Sequence, residues 1–368
     1  MKLFISPGAF NSPDAHYSLG HNEYQRFYYI RDLIRLDLIS ERYFKKGGRI
    51  KIGSRGIAKI WAYSLFFINS FLYIFKYKKR IKLIITERSI FSLLGLWGKI
   101  IGIKWIVDLW DSPYKEYYKS KGLIRFLRYM KCRITCIAMG YADSIIVSIH
   151  EKEYNKIIKN NKAFFFYNAI DPSVADHLGI NKEKYFDFSD KILRFIYIGH
   201  DLDEYGMTDF LCRLKQEMQN LISLGYKYEF HHFGNAGQKT IIEFSNCNDV
   251  YFHGHVAFDS IKNALAKNKF ICVNPLLPIY DLNYAYAVKF LEYYSSNNII
   301  IYTPTIAINE LISNLDQEGI FTIEKFFSII RTQNSNLNIR IKRKLYNHIN
   351  AYIKNKMISE IYNRVAKD

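Results

Sequence analysis

Cysteine is sparse and unpatterned in this sequence. The five residues Cys132, Cys136, Cys212, Cys247 and Cys272 are odd in number, lie far apart for the most part and include no Cys-x-x-Cys pair. This distribution argues against a disulfide framework and against a thiolate zinc site. We therefore expect reduced, buried thiols in a reducing compartment.

Several sequence signals are missing. The N-terminal residues MKLFISPGAF lack the long apolar core and the small-residue cleavage site of a secretory signal peptide, so we expect a cytoplasmic protein. No Gly-x-Gly-x-x-Gly follows a strand-like run, which argues against NAD-dependent chemistry. No long stretch rich in Pro, Gly or Ser indicates disorder.

Acidic residues are scarce in the first half of the chain. Residues 1–160 contain 29 Lys and Arg against 12 Asp and Glu, a net charge of +17, whereas the remainder contains 23 against 22. A basic half beside a neutral half indicates a surface for an anionic partner. The candidates are nucleic acid, an anionic lipid leaflet, and a phosphorylated or acidic substrate.

One apolar segment, 57–75, approaches the length of a transmembrane helix but contains Lys59 and Asn69. We predict a buried or membrane-surface helix instead. Basic clusters at 76–80 and 119–133 suit the headgroups of an anionic membrane surface.

Short apolar runs alternate with helical patterns along the chain, which indicates parallel sheets covered on both faces. In the first half the predicted strands are 3–6, 82–86, 104–110, 144–148 and 163–167, and the predicted helices are 22–39, 57–77, 90–102, 121–140 and 150–160. In the second half the predicted strands are 194–200, 228–234, 249–255, 270–276 and 299–304, and the predicted helices are 207–223, 238–245, 257–267 and 286–297.

The length of 368 residues and the two strand series predict two α/β domains. The expected division is an N-terminal domain over 1–180 and a C-terminal domain over 190–338, joined by a polar, irregular linker within 168–191. Helical spacing near the end predicts a C-terminal helix within 339–368, which can cross back to the N-terminal domain.

Six sequence blocks in order carry a family resemblance. They are ADSIIVS (142–148), FFFYNAID (164–171), FIYIGHDLDEYGM (195–207), FHHFGNAG (230–237), VYFHGHVAFDSI (250–261) and NPLLPIYDLNYAYAVKFLEYYSSNNIIIYTP (274–304). Together they resemble the GT-B glycosyltransferases, particularly the retaining family 4 and more loosely the xanthan glucuronosyltransferase. The resemblance implies two Rossmann-like, doubly wound domains facing a cleft.

The resemblance also implies a site for a nucleotide sugar. A receptor for such a donor needs a carboxylate for the ribose hydroxyls and cations or N–H groups for the diphosphate. By resemblance Glu292 binds the ribose and Lys289 the phosphates. The other donor-binding residues that the resemblance implies are Gly199, His200, Gly234, Asn235, His255, Val256 and Tyr286.

Two features depart from family 4. The loop HDLDEYG after the first C-terminal strand lacks the usual Arg and Lys, and Tyr284 occupies the position of the first residue of the family's Glu-x7-Glu pair. The donor phosphates must then depend on Lys289, on backbone N–H groups or on a cation from the other domain.

Carboxylates end two predicted strands of the N-terminal domain. Asp111 follows the strand 104–110 and Glu87 the strand before it, and a carboxylate there can act as general base toward an acceptor hydroxyl. Asp111 matches the catalytic aspartate of the xanthan glucuronosyltransferase better, while family 4 proteins carry similar aspartates without that role. His16 and His21, in the loop after the first strand, are candidate acceptor-binding residues.

Other interpretations of the function stay open. Asp201 and Asp203 form an Asp-x-Asp pair of the kind with which GT-A glycosyltransferases hold a metal, although its place in the middle of the chain argues against that. A nucleic-acid-binding protein would explain the basic half but leave the second half unexplained. A sugar-nucleotide binder without catalysis would explain the missing Arg and Lys.

The sequence thus predicts a metal-independent glycosyltransferase that needs no cofactor besides a UDP- or GDP-linked sugar. We expect it to extend a lipid-linked or polysaccharide acceptor of a bacterial surface glycan at the inner face of the cell membrane, without nucleic acid as a partner. The resemblance to family 4 favours retention over inversion.

Overall fold

The chain forms two compact units. Unit 1 comprises Met1–Tyr167 and Tyr352–Asp368, and unit 2 comprises Asn168–Ala351. The boundaries expected from the sequence were 180 and 338. This computed structural model describes residues 1–6, 36–40, 57–87, 90–109, 112–114, 117, 120–158, 162–199, 206–245, 247–276, 287–333 and 337–367.

A parallel sheet in the order β2-β1-β3-β4-β5-β6 forms the centre of unit 1. The strands are β1 (Lys2–Ser6), β2 (Leu36–Ser40), β3 (Leu83–Glu87), β4 (Lys104–Leu109), β5 (Ser144–Val147) and β6 (Ala163–Phe165). The strand order reverses between β1 and β3, so a topological switch point lies there.

Helices cover both faces of this sheet, because alternate strand residues point to opposite sides. The helices of unit 1 are α1 (Ile57–Tyr77), α2 (Ser92–Ile100), α3 (Gly122–Gly140), α4 (Glu151–Ile157) and the C-terminal α12 (Ala351–Lys367). Ile84 and Trp105 belong to the core on the side of α1, α2 and α3. Ile85 and Ile106 pack with Tyr362 of α12 on the other side.

Unit 2 contains a second parallel sheet, in the order β10-β9-β8-β11-β12-β13. Its strands are β8 (Ile192–Ile198), β9 (Lys227–Phe233), β10 (Val250–Phe252), β11 (Ile271–Asn274), β12 (Ile299–Tyr302) and β13 (Ile320–Thr322). This order is that of the dinucleotide-binding Rossmann fold. The prediction of two Rossmann-like, doubly wound domains is confirmed.

The helices of unit 2 alternate with the strands of its sheet, except for α5, which precedes the first of these strands. They are α5 (Pro172–Leu178), α6 (Met207–Ile222), α7 (Gln238–Phe244), α8 (Phe258–Lys267), α9 (Val288–Ser295), α10 (Ile306–Ser313) and α11 (Ile323–Gln333). Phe195, Phe230 and Val273 of the strands pack with Leu214 of α6 and Phe327 of α11 in one core.

Three predictions of local structure were wrong. The segment 36–40, expected to end a helix over 22–39, is the strand β2 that pairs with β1. The expected linker 168–191 contains α5 and the strand β7 (Lys184–Asp187), and the expected helix from 339 begins with the strand β14 (Asn338–Ile341). β7 and β14 pair antiparallel, and each supplies the hydrogen-bond partners that the other needs.

The apolar segment 57–75 lies within α1, as predicted. Among the described helices, none is both long and apolar enough to cross a membrane.

Candidate functional site

The candidate site lies at the carboxyl edge of the unit 2 sheet. The strand order reverses there between β8 and β11, and doubly wound sheets bind ligands at the carboxyl ends of the strands that flank such a reversal. β8 ends at Ile198 and β11 ends at Asn274. The residues that follow these two ends are therefore the best placed to hold a ligand.

Two of the predicted glycines, Gly199 and Gly234, meet at this edge. The Gly199 N–H donates to the Phe233 carbonyl oxygen at 2.9 Å, and the Gly234 N–H donates to the Gly254 carbonyl oxygen at 2.7 Å. Gly234 has a φ of +125°, and a Cβ atom there would lie 1.9 Å from the Gly199 carbonyl oxygen. The close backbone approach after β8 and β9 therefore requires glycine. The predicted Asn235 follows in the same turn and is exposed.

Helix α9 begins shortly after β11. Its N-cap residue is Ala287, whose side chain cannot cap the first N–H groups. The aligned peptide dipoles give this helix end partial positive charge, which favours an anionic group. The N-terminus of α9 is thus suited to a phosphate.

The predicted pair Lys289 and Glu292 lies on the first turns of α9. The Lys289 Nζ donates to the Glu292 Oε2 at 2.9 Å. The Glu292 side chain is only 8% exposed and that of Lys289 20% exposed. The structure therefore brings these residues together as a sheltered ion pair, which salt screens less than a surface pair.

Tyr293 connects α9 to the end of β8. The Ile198 N–H donates to the Tyr293 hydroxyl oxygen at 2.9 Å. Burial raises the pKa of Tyr293 well above its ordinary value, so the phenol stays protonated. This bond fixes α9, and with it Lys289 and Glu292, relative to Gly199.

Asn274 is a site residue that the sequence analysis did not single out. The residue is 3% exposed, and its Nδ2 has no hydrogen-bond partner among the described residues. A buried amide donor without a partner is costly, which makes a ligand acceptor at this strand end an attractive explanation. The sequence signal was a polar residue closing the apolar run FICVN.

A histidine pair lies on β9 and just after β10. The ring nitrogens His231 Nδ1 and His253 Nε2 are 3.0 Å apart, and the rings stack with centroids 5.3 Å apart. Burial lowers the pKa of both histidines. The predicted residues His255 and Val256 follow in the next turn, where His255 is exposed and Val256 is half-buried.

In unit 1, Glu87 lies at the carboxyl end of β3, next to the switch point. It is in register with Asp108 of β4, and both carboxylates are buried. The described part of unit 1 thus contains two acidic side chains on adjacent strand ends. Asp111, the better candidate for a general base, lies outside the described residues.

Four further predicted site residues also lie outside the described residues, namely His16, His21, His200 and Tyr286. The same is true of Asp201 and Asp203. Within the described ranges, no three His, Cys, Asp or Glu side chains gather in a way that could hold a metal ion.

No protein-family model matches the sequence, and no curated protein matches it significantly. Solved structures match the fold along the full chain. The sucrose-phosphate synthase of Thermosynechococcus elongatus has a TM-score of 0.60 at 12% identity, with 99% of this chain and 96% of that chain covered. A UDP-forming trehalose-phosphate synthase of Burkholderia xenovorans, in complex with glucose-6-phosphate, has a TM-score of 0.57 at 9% identity, with 100% of this chain and 97% of that chain covered.

The UDP-GlcNAc 2-epimerase of Methanocaldococcus jannaschii is also similar. Its TM-score is 0.54 at 11% identity, with 99% of this chain and 100% of that chain covered. At these identities the similarity concerns the fold, and it shows that this chain has the GT-B fold. Because the fold is shared by two kinds of enzyme, the chemistry must be argued from the site.

Proposed function

We propose that the protein is a glycosyltransferase that binds a nucleotide sugar at the carboxyl edge of the unit 2 sheet. The observation that carries this proposal is the sheltered Lys289–Glu292 pair on α9, tied to the end of β8 at a Rossmann switch point. Full-length similarity in fold to a UDP-forming trehalose-phosphate synthase and to a UDP-GlcNAc 2-epimerase supports the same ligand class. The likeness to family 4 and to the xanthan glucuronosyltransferase remains part of this proposal.

Each group of the donor has a matching group on the protein. The N-terminus of α9 and the Lys289 ammonium group can neutralise the negative charge of a diphosphate. The Glu292 carboxylate can accept hydrogen bonds from the ribose hydroxyls. The hydrogen bond between Lys289 and Glu292 holds the carboxylate in place before the donor arrives. The Asn274 side-chain N–H can donate a hydrogen bond to another oxygen of the sugar nucleotide.

Unit 1 supplies the acceptor-side groups in this proposal. Transfer breaks the bond between the sugar anomeric carbon and the phosphate oxygen and forms a bond to the acceptor oxygen. The nucleoside diphosphate leaves, and the acceptor hydroxyl loses its proton. Asp111 or Glu87 takes that proton if the reaction inverts configuration, whereas a retaining reaction leaves the proton to the departing phosphate.

Further features of the proposed enzyme rest on its sequence motifs and charge distribution. The donor is UDP- or GDP-linked, no metal or other cofactor takes part, and retention is favoured over inversion. The acceptor is a lipid-linked or polysaccharide glycan, which His16 and His21 help to bind, and the protein works at the inner face of a bacterial membrane. His200, Asn235, His255, Val256 and Tyr286 complete the donor site.

A second candidate function is epimerisation of a nucleotide sugar. It is favoured by the fold similarity to the UDP-GlcNAc 2-epimerase, which covers both chains almost completely. Such an enzyme acts on the same ligand class but needs no acceptor.

The two functions are separated by product analysis. The purified protein is incubated with each of a panel of UDP- and GDP-sugars, with and without a lipid extract as acceptor, and the products are identified by NMR and mass spectrometry. Transfer predicts release of the nucleoside diphosphate that increases with acceptor. A change in the sugar configuration without release of the nucleotide would establish epimerisation and exclude transfer.

A further inference from the structure

Helix α3 has an apolar stripe that points away from the protein. Leu123, Leu127, Met130, Ile134 and Ile137 are spaced four and three residues apart, which places them on one face of a helix. Their exposed fractions lie between 43% and 74%. Scattered exposed leucines need no explanation, but a continuous stripe of this length indicates an interaction surface.

None of the five stripe residues belongs to the described core of unit 1. The opposite face of α3 is the one that packs into unit 1, with Cys132, Cys136 and Met139 buried in the core of the sheet. α3 is therefore apolar on two opposite faces, and the described part of unit 1 buries one of them.

The same outward layer contains a second apolar stripe. Ile68, Leu72 and Phe75 of α1 are each about half exposed. α2 contacts both α1 and α3, so the three helices form one layer on one side of the sheet. Ile100 at the end of α2 is exposed as well.

The charge around these stripes has one sign. The segments 57–80 and 121–141 contain ten Lys and Arg residues and no Asp or Glu. Lys78 follows α1, and its Nζ lies 5.0 Å from the centroid of the Phe75 ring. A cation is therefore adjacent to an exposed apolar ring. Lys131 and Arg133 are exposed beside the α3 stripe.

We infer that the outward face of α1, α2 and α3 is a docking surface for an anionic lipid bilayer, into which the α3 stripe inserts. Apolar side chains enter the acyl region while Lys and Arg side chains reach the anionic headgroups. A second copy of this chain fits poorly, because a two-fold interface would bring cations beside the stripes, such as Lys78, Lys131 and Arg133, against those of the other copy. A nucleic acid would match the charge but not the apolar stripe.

This inference deepens the proposed membrane location but is independent of the transfer chemistry. It goes beyond attraction by net charge, because it assigns the insertion to particular side chains of α3. Charge alone would predict binding that high salt abolishes, whereas inserted apolar groups retain part of it.

Flotation of the full-length protein with phosphatidylcholine vesicles, with and without phosphatidylglycerol, tests the inference. We expect wild type to float with the anionic vesicles and much less with the neutral ones. The double variant Leu127→Glu with Ile134→Glu should lose about tenfold or more of the vesicle affinity, because carboxylates oppose both insertion and the anionic surface. The control is Ile242→Glu on α7 of unit 2, an isoleucine that is more exposed than Leu127 and Ile134, and it should float like wild type.

The inference is overturned if wild type does not float with anionic vesicles, or if the double variant floats as well as wild type. It is also overturned if wild type is a dimer by light scattering and the double variant is a monomer, because a second copy would then cover the stripe. Thermal shifts with UDP- and GDP-sugars on the same samples test the proposed function separately. If a sugar nucleotide raises the melting temperature of wild type but wild type does not float, only the docking surface is contradicted.

Discussion

Gly234 shows how strongly a single position of the site depends on backbone geometry. Its φ of +125° lies in a region that L side chains rarely adopt, and a Cβ there would overlap the Gly199 carbonyl oxygen. Gly254, its hydrogen-bond partner, has a φ of +64°, but a Cβ there would have no neighbour within 4 Å.

Gly234→Ala should therefore lower the free energy of unfolding by about 3 kcal/mol, because strain and steric overlap add. Gly254→Ala should cost only about 1 kcal/mol, from backbone strain alone. Urea unfolding of both variants measures the difference. Equal losses in the two would contradict the close approach of β8 and β9.

Substitution of Asn274, unlike that of Gly234, should not lower the free energy of unfolding. Its buried Nδ2 has no partner among the described residues, so Asn274→Leu removes an unsatisfied donor at nearly constant volume. We expect the unfolding free energy without ligand to stay equal or rise by about 1 kcal/mol, while affinity for the sugar nucleotide falls. A strong loss of stability with unchanged affinity, measured by urea unfolding and titration calorimetry, would assign Asn274 a purely structural role.

At the scale of elements, the turn between α9 and β12 holds several parts of unit 2 together. The Asn297 Nδ2 donates to the carbonyl oxygens of Gly179, Ile180 and Lys182, and its Oδ1 accepts from the Arg343 N–H. Asn297 also has a φ of +50°. The same side chain therefore secures the end of α5 and the segment after β14.

Asn297→Ala should lower the unfolding free energy by about 4 kcal/mol, because buried hydrogen bonds are lost and the left-handed backbone becomes strained. Asn297→Gly loses the same bonds without that strain, so it should cost about 1 kcal/mol less. Chemical denaturation of both variants separates the two contributions. If Asn297→Gly were the less stable variant, the positive φ would carry no strain.

The His231–His253 pair predicts a pH dependence of stability. Because burial lowers the pKa of both rings in the folded state, the unfolded chain binds more protons in weakly acidic solution. Stability is therefore complete above the ordinary histidine pKa and falls as the pH drops below it. Urea unfolding at neutral and weakly acidic pH should show a smaller acid-induced loss in His253→Asn than in wild type, and identical losses would exclude the pair as the cause.

The strands and helices of the doubly wound sheets could be predicted because local periodicity and polar strand ends mark them. The strand β14 could not, because its partner β7 lies about 150 residues earlier in the chain and no local pattern encodes that pairing. β2 was mistaken for a helix end because LIRLDLIS fits both periods. In the site, Lys289 and Glu292 carried a family pattern, whereas Asn274 became visible only through its burial.

In the whole molecule, the fold and the charge distribution indicate different aspects of function. The GT-B fold is shared by sucrose-phosphate synthase and by a UDP-GlcNAc 2-epimerase, so the fold alone does not determine the reaction. The excess of positive charge lies almost entirely within residues 1–160, the part of the chain that contains α1 and α3. Donor binding and membrane docking therefore belong to different units in this account.

Donor recognition by the α9 pair is tested most directly by titration calorimetry of UDP- and GDP-sugars into wild type and Glu292→Gln. The matched control is Asp259→Asn, which removes the carboxylate of the ion pair with Lys262 on α8, a pair with the same three-residue spacing. We predict that at least one sugar nucleotide binds wild type and Asp259→Asn equally, and that it binds Glu292→Gln about tenfold or more weakly, since a charge-assisted hydrogen bond is lost. Equal affinity in wild type and Glu292→Gln, or no binding of any sugar nucleotide to folded wild type, would contradict this assignment.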